Sequence, residues 1–171
     1  KLLCYVPASY TAYTIPDTVT EINAGAFGNC SQLKTITLPE SVTKIGDGAF
    51  FNCTGLTSIK LSAAITTIGK DAFGNCRKLA AVELPRGIMS INEILFGNCE
   101  SLRSITIPDG VASIAASAFF NCTGLTSVTI SSSVTFIDKT AFDGCENLTI
   151  TCPKDSYAQQ YAIENAIKYT N

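Results

Sequence analysis

The chain has 171 residues, of which 46% are hydrophobic and only 15% are charged, and its formal net charge is −2. This balance excludes an intrinsically disordered chain, and it gives no electrostatic reason to expect nucleic acid or an anionic membrane as a partner. The sequence contains no histidine, which removes the commonest general base and metal ligand.

The segment 1–13 is the least regular part of the sequence. Cys4 and Pro7 stand where later units have Phe and Cys, and Tyr10 and Tyr13 stand where they have Leu and Ile. We expect residues 1–13 to be either a degenerate first repeat or the cut edge of a longer array. The start, KLLCYVP, lacks an initiator Met and is too short for a signal peptide, so we interpret the chain as a mature or trimmed fragment.

The segment 14–154 repeats a 23-residue unit, which reads A-F-x-N-C-x-x-L-x-x-I-x-L-P-x-x-V-x-x-I-x. Three columns recur without a slip: Phe27, Phe50, Phe73, Phe96, Phe119 and Phe142; Cys30, Cys53, Cys76, Cys99, Cys122 and Cys145; Leu33, Leu56, Leu79, Leu102, Leu125 and Leu148. Four further apolar columns begin at Ile36, Leu38, Val42 and Ile45. Such regularity predicts a solenoid in which each unit buries the face of its neighbour.

Within one unit, the I-x-L segment alternates apolar and polar residues, which predicts a strand with one buried face. Proline follows that segment at positions 39, 85 and 108, with Pro16 in the equivalent place upstream, and it ends the strand pairing. The V-x-x-I segment that follows favours a short extended or tight helical return on the opposite side.

Residues 155–171 predict a C-terminal capping helix. Tyr157 with Tyr161, and Ile163 with Ile167, are i,i+4 pairs. Asp155 or Ser156 can serve as the N-cap. Such a helix, polar on one face, would close the last hydrophobic layer of a solenoid.

These columns resemble leucine-rich repeats, and the A-F-x-N-C-x-x-L-x-x-I-x-L-P unit resembles the BspA-like (Treponema-pallidum-type) class over about residues 14–152. The expected fold is an α/β repeat protein, a leucine-rich-repeat solenoid of about six 23-residue turns with a short parallel sheet and the capping helix. The resemblance also implies an extracellular or cell-surface location and an adhesive role.

The cysteine column is interpreted as a small apolar filler at a tight corner. Zinc needs four ligands that converge on a point, whereas stacked copies form a line, so we expect no metal. Neighbouring Cβ atoms about 4.8 Å apart are also wider than a disulfide prefers. Cys4 and Cys152 lie off the column, and Cys145 with Cys152 is the one disulfide worth considering, with its state left open.

An asparagine precedes five of the six column cysteines and is interpreted as a corner residue whose amide bonds main-chain groups; these are Asn29, Asn52, Asn75, Asn98 and Asn121. Four N-glycosylation patterns occur, starting at Asn29, Asn52, Asn121 and Asn147, and three of them follow from the repeat itself. The carboxylates are spread over different repeats and predict a solvated surface.

The candidate binding residues point outward from the strands beside each central Ile or Val. They are Thr35, Thr37, Ser58, Lys60, Glu83, Ser104, Thr106, Ser127 and Thr129. At about 4.8 Å per repeat they predict a hydroxyl-rich, nearly uncharged strip. Such a strip suits a protein or glycan ligand, and it is equally the ordinary face of a soluble sheet.

A second candidate is an apolar patch formed by Phe51, Ile94 and Phe120, which replace the polar or small residues of other repeats. These side chains either form an exposed binding patch or pack against one another or the closing helix.

The sequence therefore predicts a non-catalytic binding or adhesion module, with no cofactor, no nucleic-acid partner and no membrane insertion. The alternative is a structural spacer within a larger surface protein, which presents another domain and binds nothing itself. The ligand and the oligomeric state stay open.

Overall fold

The chain is a β-solenoid of about seven turns, and the computed structural model describes residues 10–171. Each turn begins with a short strand in the predicted I-x-L segment: β1 Ala12–Thr14, β3 Thr35–Thr37, β5 Ser58–Lys60, β7 Ala81–Val82, β9 Ser104–Ile107, β11 Ser127–Ile130 and β13 Thr149–Thr151. The strands stack in parallel with a register of one repeat, so that Ile36 lies beside Ile59. The repeat period of the sequence is therefore the pitch of the solenoid.

The V-x-x-I segment returns as a second short strand, the extended form of the two that the sequence allows. These strands are β2 Glu21–Ile22, β4 Lys44–Ile45, β6 Thr67–Ile68, β8 Ser90–Ile91, β10 Ser113–Ile114 and β12 Phe136–Ile137. They also stack in parallel, with Ile45 beside Ile68.

A single column of aromatic rings runs through the core. The Phe rings that recur once per repeat stack face to face, with centroids 5.0–5.6 Å apart and interplanar angles of 2–15°. Tyr13 packs on Phe27 at one end and Tyr161 packs on Phe142 at the other, with interplanar angles of 57° and 59°. Each aromatic pair contributes roughly 0.5–1.5 kcal/mol beyond its burial, so the column ties all turns together.

The upstream irregularity is only partly within the described residues. Tyr13 occupies the Ile position of β1 and pairs in register with Ile36, as a repeat residue does. Cys4 and Pro7 lie outside the described residues.

The helix of the C-terminal cap is shorter than predicted. Helix α1, Tyr157–Glu164, begins after the N-cap Ser156, whose hydroxyl accepts from the main-chain N–H of Gln159. It buries Ala158, Tyr161 and Ala162 against the last turn. The helix ends because Asn165 caps it and Ala166 adopts a left-handed φ of 53°. The tail then forms strand β14, Lys168–Thr170, which pairs with β13, so residues 165–171 are not helical.

Within residues 10–171 the strands form four short parallel sheets. The sheets have the orders β1-β3-β5-β7, β9-β11-β13-β14, β2-β4-β6 and β8-β10-β12. Both breaks fall around residues 81–91, the junction turn, because β7 pairs only with the preceding turns and β8 only with the following ones. The third side stays continuous, with main-chain bonds from Phe73 to Leu95 and from Phe96 to Ala118.

Candidate functional site

The strand-face strip consists of the nine outward residues predicted from β3, β5, β9, β11 and the end of β7. All of them are exposed except Ser127, which is half-buried. They alternate with Ile36, Ile59, Ile105 and Val128, which are buried in the core. This alternation places a row of hydroxyl groups on one side of the solenoid.

The middle of the strip lines a surface depression with a volume of about 960 Å³. It brings together most of the predicted residues: Ser58, Lys60, Glu83, Ser104, Thr106 and Thr129. Thr35, Thr37 and Ser127 lie outside it. The strip is therefore not uniform, because the central turns provide a concave site and the outer turns do not.

The depression lies where β7 and β9 are not hydrogen-bonded to each other. On either side, the N–H of Ala80 donates to the oxygen of Thr57 at 3.0 Å, and that of Thr126 donates to Arg103 at 2.9 Å. Within residues 10–171, no such bond joins Arg103 to Ala80. Val82 is only half-buried, whereas its column neighbours Ile59 and Ile105 are buried.

Two further charged residues, Arg86 and Asp109, line the depression and are absent from the sequence prediction. Each directly follows a strand-ending proline, Pro85 or Pro108. The alternation rule covers only the strands themselves, so it does not reach these turn positions. Arg86 and Asp109 hold the same repeat position, which is occupied by Glu40, Ala63 and Ser132 in other repeats. A comparison of this position across the repeats could have found them.

The four charged residues of the depression are not paired with one another. The ion pairs formed within residues 10–171 join Lys70 to Glu93 at 2.6 Å and Arg77 to Glu100 at 3.7 Å, both elsewhere. Lys60, Glu83, Arg86 and Asp109 are exposed and carry two charges of each sign. The charges of the site thus cancel overall, although positive and negative side chains occupy separate positions within it.

The predicted apolar residues are spread along another side. Ile94 is 42% exposed and Phe120 is 43% exposed, whereas Phe51 is half-buried. Phe51 and Phe120 occupy the same repeat position three turns apart, about 14 Å along the axis. In the part of the chain that the structure describes, neither ring packs on another aromatic ring.

Phe51 lines a smaller depression of about 460 Å³ with Asp47, Lys70 and Asp71. The Oδ1 atom of Asp71 is buried and accepts no hydrogen bond. Burial raises the pKa of the Asp71 carboxyl. Asp71 is therefore not the solvated carboxylate that its turn position predicts.

The asparagine column has a structural role, but the amide bonds found for it within residues 10–171 join asparagine to asparagine and not, as the sequence analysis expects, to main-chain groups. Asn29, Asn52, Asn75, Asn98 and Asn121 all adopt a left-handed φ of 54–63°, which asparagine tolerates better than most residues. The Asn52 amide donates to the Oδ1 atom of Asn29 at 2.8 Å, and the Asn121 amide donates to Asn98 at 2.9 Å. These two amides thus bridge adjacent turns.

The cysteine column has a second role beyond filling space. The thiol of each cysteine from Cys53 to Cys145 donates to the main-chain oxygen of a Phe in the preceding turn, at 3.1–3.3 Å, as Cys76 does to Phe50. Cys145 and Cys152 are not bridged, and the cysteines within residues 10–171 are all free. Burial raises the pKa of Cys53 and of Cys99 to about 12. These thiols are therefore poor nucleophiles and poor metal ligands.

Among residues 10–171, no three His, Cys, Asp or Glu side chains come together in a way that could hold a metal ion. The single helix of this region is far too short to cross a bilayer.

The fold and the strip define a leucine-rich-repeat protein. The model of the BspA type leucine rich repeat region matches residues 3–122 and 89–170 in 6 copies, so the chain belongs to this family. No curated protein matches the chain.

Three solved structures resemble the chain. A leucine rich repeat protein from T. pallidum is 26% identical, with a TM-score of 0.73 over 94% of this chain and 85% of that one. A leucine-rich repeat protein from Eubacterium ventriosum is 27% identical, with a TM-score of 0.71 over 80% and 43% of the two chains. A leucine rich cell surface protein from Faecalibacterium prausnitzii is 24% identical, with a TM-score of 0.60 over 90% and 62%. The chain spans less than two thirds of the last two.

Proposed function

We propose that this chain is a non-catalytic binding or adhesion module, extracellular or on the cell surface, which acts through its strand-face strip. The observation that carries the proposal is the depression at the centre of that strip, where hydroxyl groups and four unpaired charges surround an opening in the strand ladder. A concave site that combines an apolar floor with a few polar groups is the usual form of a ligand site.

The location is supported by the family and by the F. prausnitzii relative, which is described as a cell surface protein. The free thiols are compatible with an oxidising compartment, because those from Cys53 to Cys122 are buried and bonded to main-chain oxygens. Their protection from oxidants follows from burial and from the low thiolate fraction.

The test is binding of the purified chain to an array of extracellular and surface proteins and to a glycan array. Specific binding that Thr37→Arg or Glu83→Ala weakens, with an unchanged melting temperature, is the expected result. Lys34→Ala and Glu146→Ala serve as controls, because both side chains are exposed and lie outside the strip. Absence of binding to every target would contradict the proposal and favour the structural spacer.

A further inference from the structure

The depression has a small apolar floor. Ile59, Val82, Ile105 and Ile107 all line it, but Ile59, Ile105 and Ile107 are at most 5% exposed, so half-buried Val82 and exposed Ala81 provide its accessible apolar surface. Val82 is the shortest of these side chains and the only half-buried one. The unpaired edges of β7 and β9 thus expose a small apolar surface between two rows of polar side chains.

The charges around this floor alternate in sign across neighbouring turns. Lys60 and Glu83 hold the same repeat position in successive turns, and so do Arg86 and Asp109. Residues one turn apart stack at about 4.8 Å in paired strands, yet neither pair forms an ion pair. Each charge is therefore free to pair with a ligand group at the rim of an interface, where such contacts mainly set specificity.

Several ligand classes fit this site poorly. None of the aromatic residues between positions 10 and 171 lines the depression, so these residues give a sugar ring no aromatic face on which to stack. The two positive and two negative side chains cancel, so an anionic polymer gains little net attraction. An extended peptide satisfies the site better, because it offers an apolar side chain, charges of both signs and main-chain hydrogen-bonding groups in one short segment.

We propose that the depression between β7 and β9 binds an extended segment of a partner protein, with an apolar side chain on Val82, an acidic residue facing Arg86 and a basic residue facing Glu83. This inference rests on the proposed binding function and names the class of its partner.

The experiment uses a random-peptide library displayed on phage and selected on the whole chain. The expected peptides carry an apolar residue flanked by one acidic and one basic residue. The charge-reversed variant Glu83→Lys with Arg86→Glu should bind them at least about tenfold more weakly, equivalent to roughly 1.4 kcal/mol. Peptides with their acidic and basic residues exchanged should regain affinity for that variant.

The matched control is Glu146→Lys with Lys34→Glu, which makes the same kind of charge change at exposed positions outside the depression. This control should bind the selected peptides as the unchanged chain does. All four substituted residues are exposed, so both double variants should keep the same melting temperature.

Three outcomes would overturn the inference: no enriched peptide, peptides that bind both double variants equally, or a glycan whose binding the charge reversal abolishes. If a surface protein binds the chain and Thr37→Arg weakens it while the charge reversal does not, the proposed function stands and the peptide site falls. If nothing binds, both fall.

Discussion

The side-chain amide of Asn92 donates a hydrogen bond to the main-chain oxygen of Ile68 at 2.6 Å, in the place where other turns use a main-chain N–H. The equivalent main-chain donors, at 2.8–2.9 Å, are Gly46, Gly69, Ala115 and Asp138. The Asn92 side chain therefore lies between β6 and β8 and accounts for their lack of pairing.

Asn92→Gly is expected to let β6 and β8 pair. Gly69, one turn earlier, packs so closely that an added Cβ would collide with the main-chain nitrogen of Asp47. Glycine at 92 permits a similar approach, and hydrogen exchange at its amide should slow. The free energy of unfolding should change by less than about 1 kcal/mol, because the new bond offsets the entropy of glycine. Asn92→Ala also removes the amide and places at 92 the residue that makes this main-chain bond at Ala115, so exchange at its amide should slow as well; exchange rates that stay unchanged in both variants would refute this explanation.

Ile94→Gly is expected to stabilise the chain. Ile94 has a φ of 55°, a left-handed conformation that strains a β-branched residue, and glycine holds this repeat position at Gly25 and Gly48. The gain in the free energy of unfolding should be about 1 kcal/mol, measured by chemical denaturation. The reverse change, Gly48→Ile, introduces the same strain where the added Cβ comes no closer than 3.6 Å to another atom. It should destabilise by about 1–2 kcal/mol, and a stabilising effect there would contradict the strain argument.

The cysteines should react with iodoacetamide in a fixed order. Burial holds the pKa of Cys53 and Cys99 at about 12, so both should stay unmodified in the folded chain at about pH 8. Cys145 is only half-buried, so it should react before the buried Cys53, Cys76, Cys99 and Cys122. Mass spectrometry of timed samples measures the order, and uniform rates would disprove it. After denaturation without reductant, the seven cysteines of residues 10–171 should all react.

Asp71 should make stability fall as pH rises. Its folded pKa is raised by burial, so the neutral carboxyl is favoured in the folded state. This contribution is present below the unfolded pKa and is lost as pH rises through the folded pKa. Asp71→Asn removes the titration and keeps a residue that tolerates the left-handed φ of 55°. The variant should gain stability relative to the unchanged chain between about pH 3 and about pH 7; a constant difference would exclude the effect.

The repeat columns predict the solenoid because each buried position recurs once per turn, as the stacked rings from Phe27 to Phe142 confirm. The breaks in the ladders were not predictable from the columns, since Val82 and Ile105 both keep the apolar pattern across the gap. A ladder is lost through small shifts of the main chain, which hydrophobic periodicity does not record. The sequence does carry one trace of it, which is Asn92 in a position that the two preceding turns fill with glycine.

The helix shows a related limit. Ile163 and Ile167 have helical spacing, yet Asn165 ends the helix between them and Ile167 leads into β14. An i,i+4 pair is local, whereas pairing of β14 with β13 satisfies the open edge of the last sheet. Strand pairing at that edge therefore overrides the helical spacing of Ile163 and Ile167. The local sequence pattern does not show that the edge is open.

The junction turn also determines how the array bears mechanical load. Neighbouring repeats hold together through their shared interface alone, so a pulled solenoid is only as strong as its weakest contact. Around residues 81–91 two of the three backbone ladders end. Tension along the axis therefore falls on the Phe73–Phe96 stack, the main-chain bonds beside it and the exposed ion pairs Lys70–Glu93 and Arg77–Glu100. The chain should part there into two half-arrays, each still wound, before either half unravels.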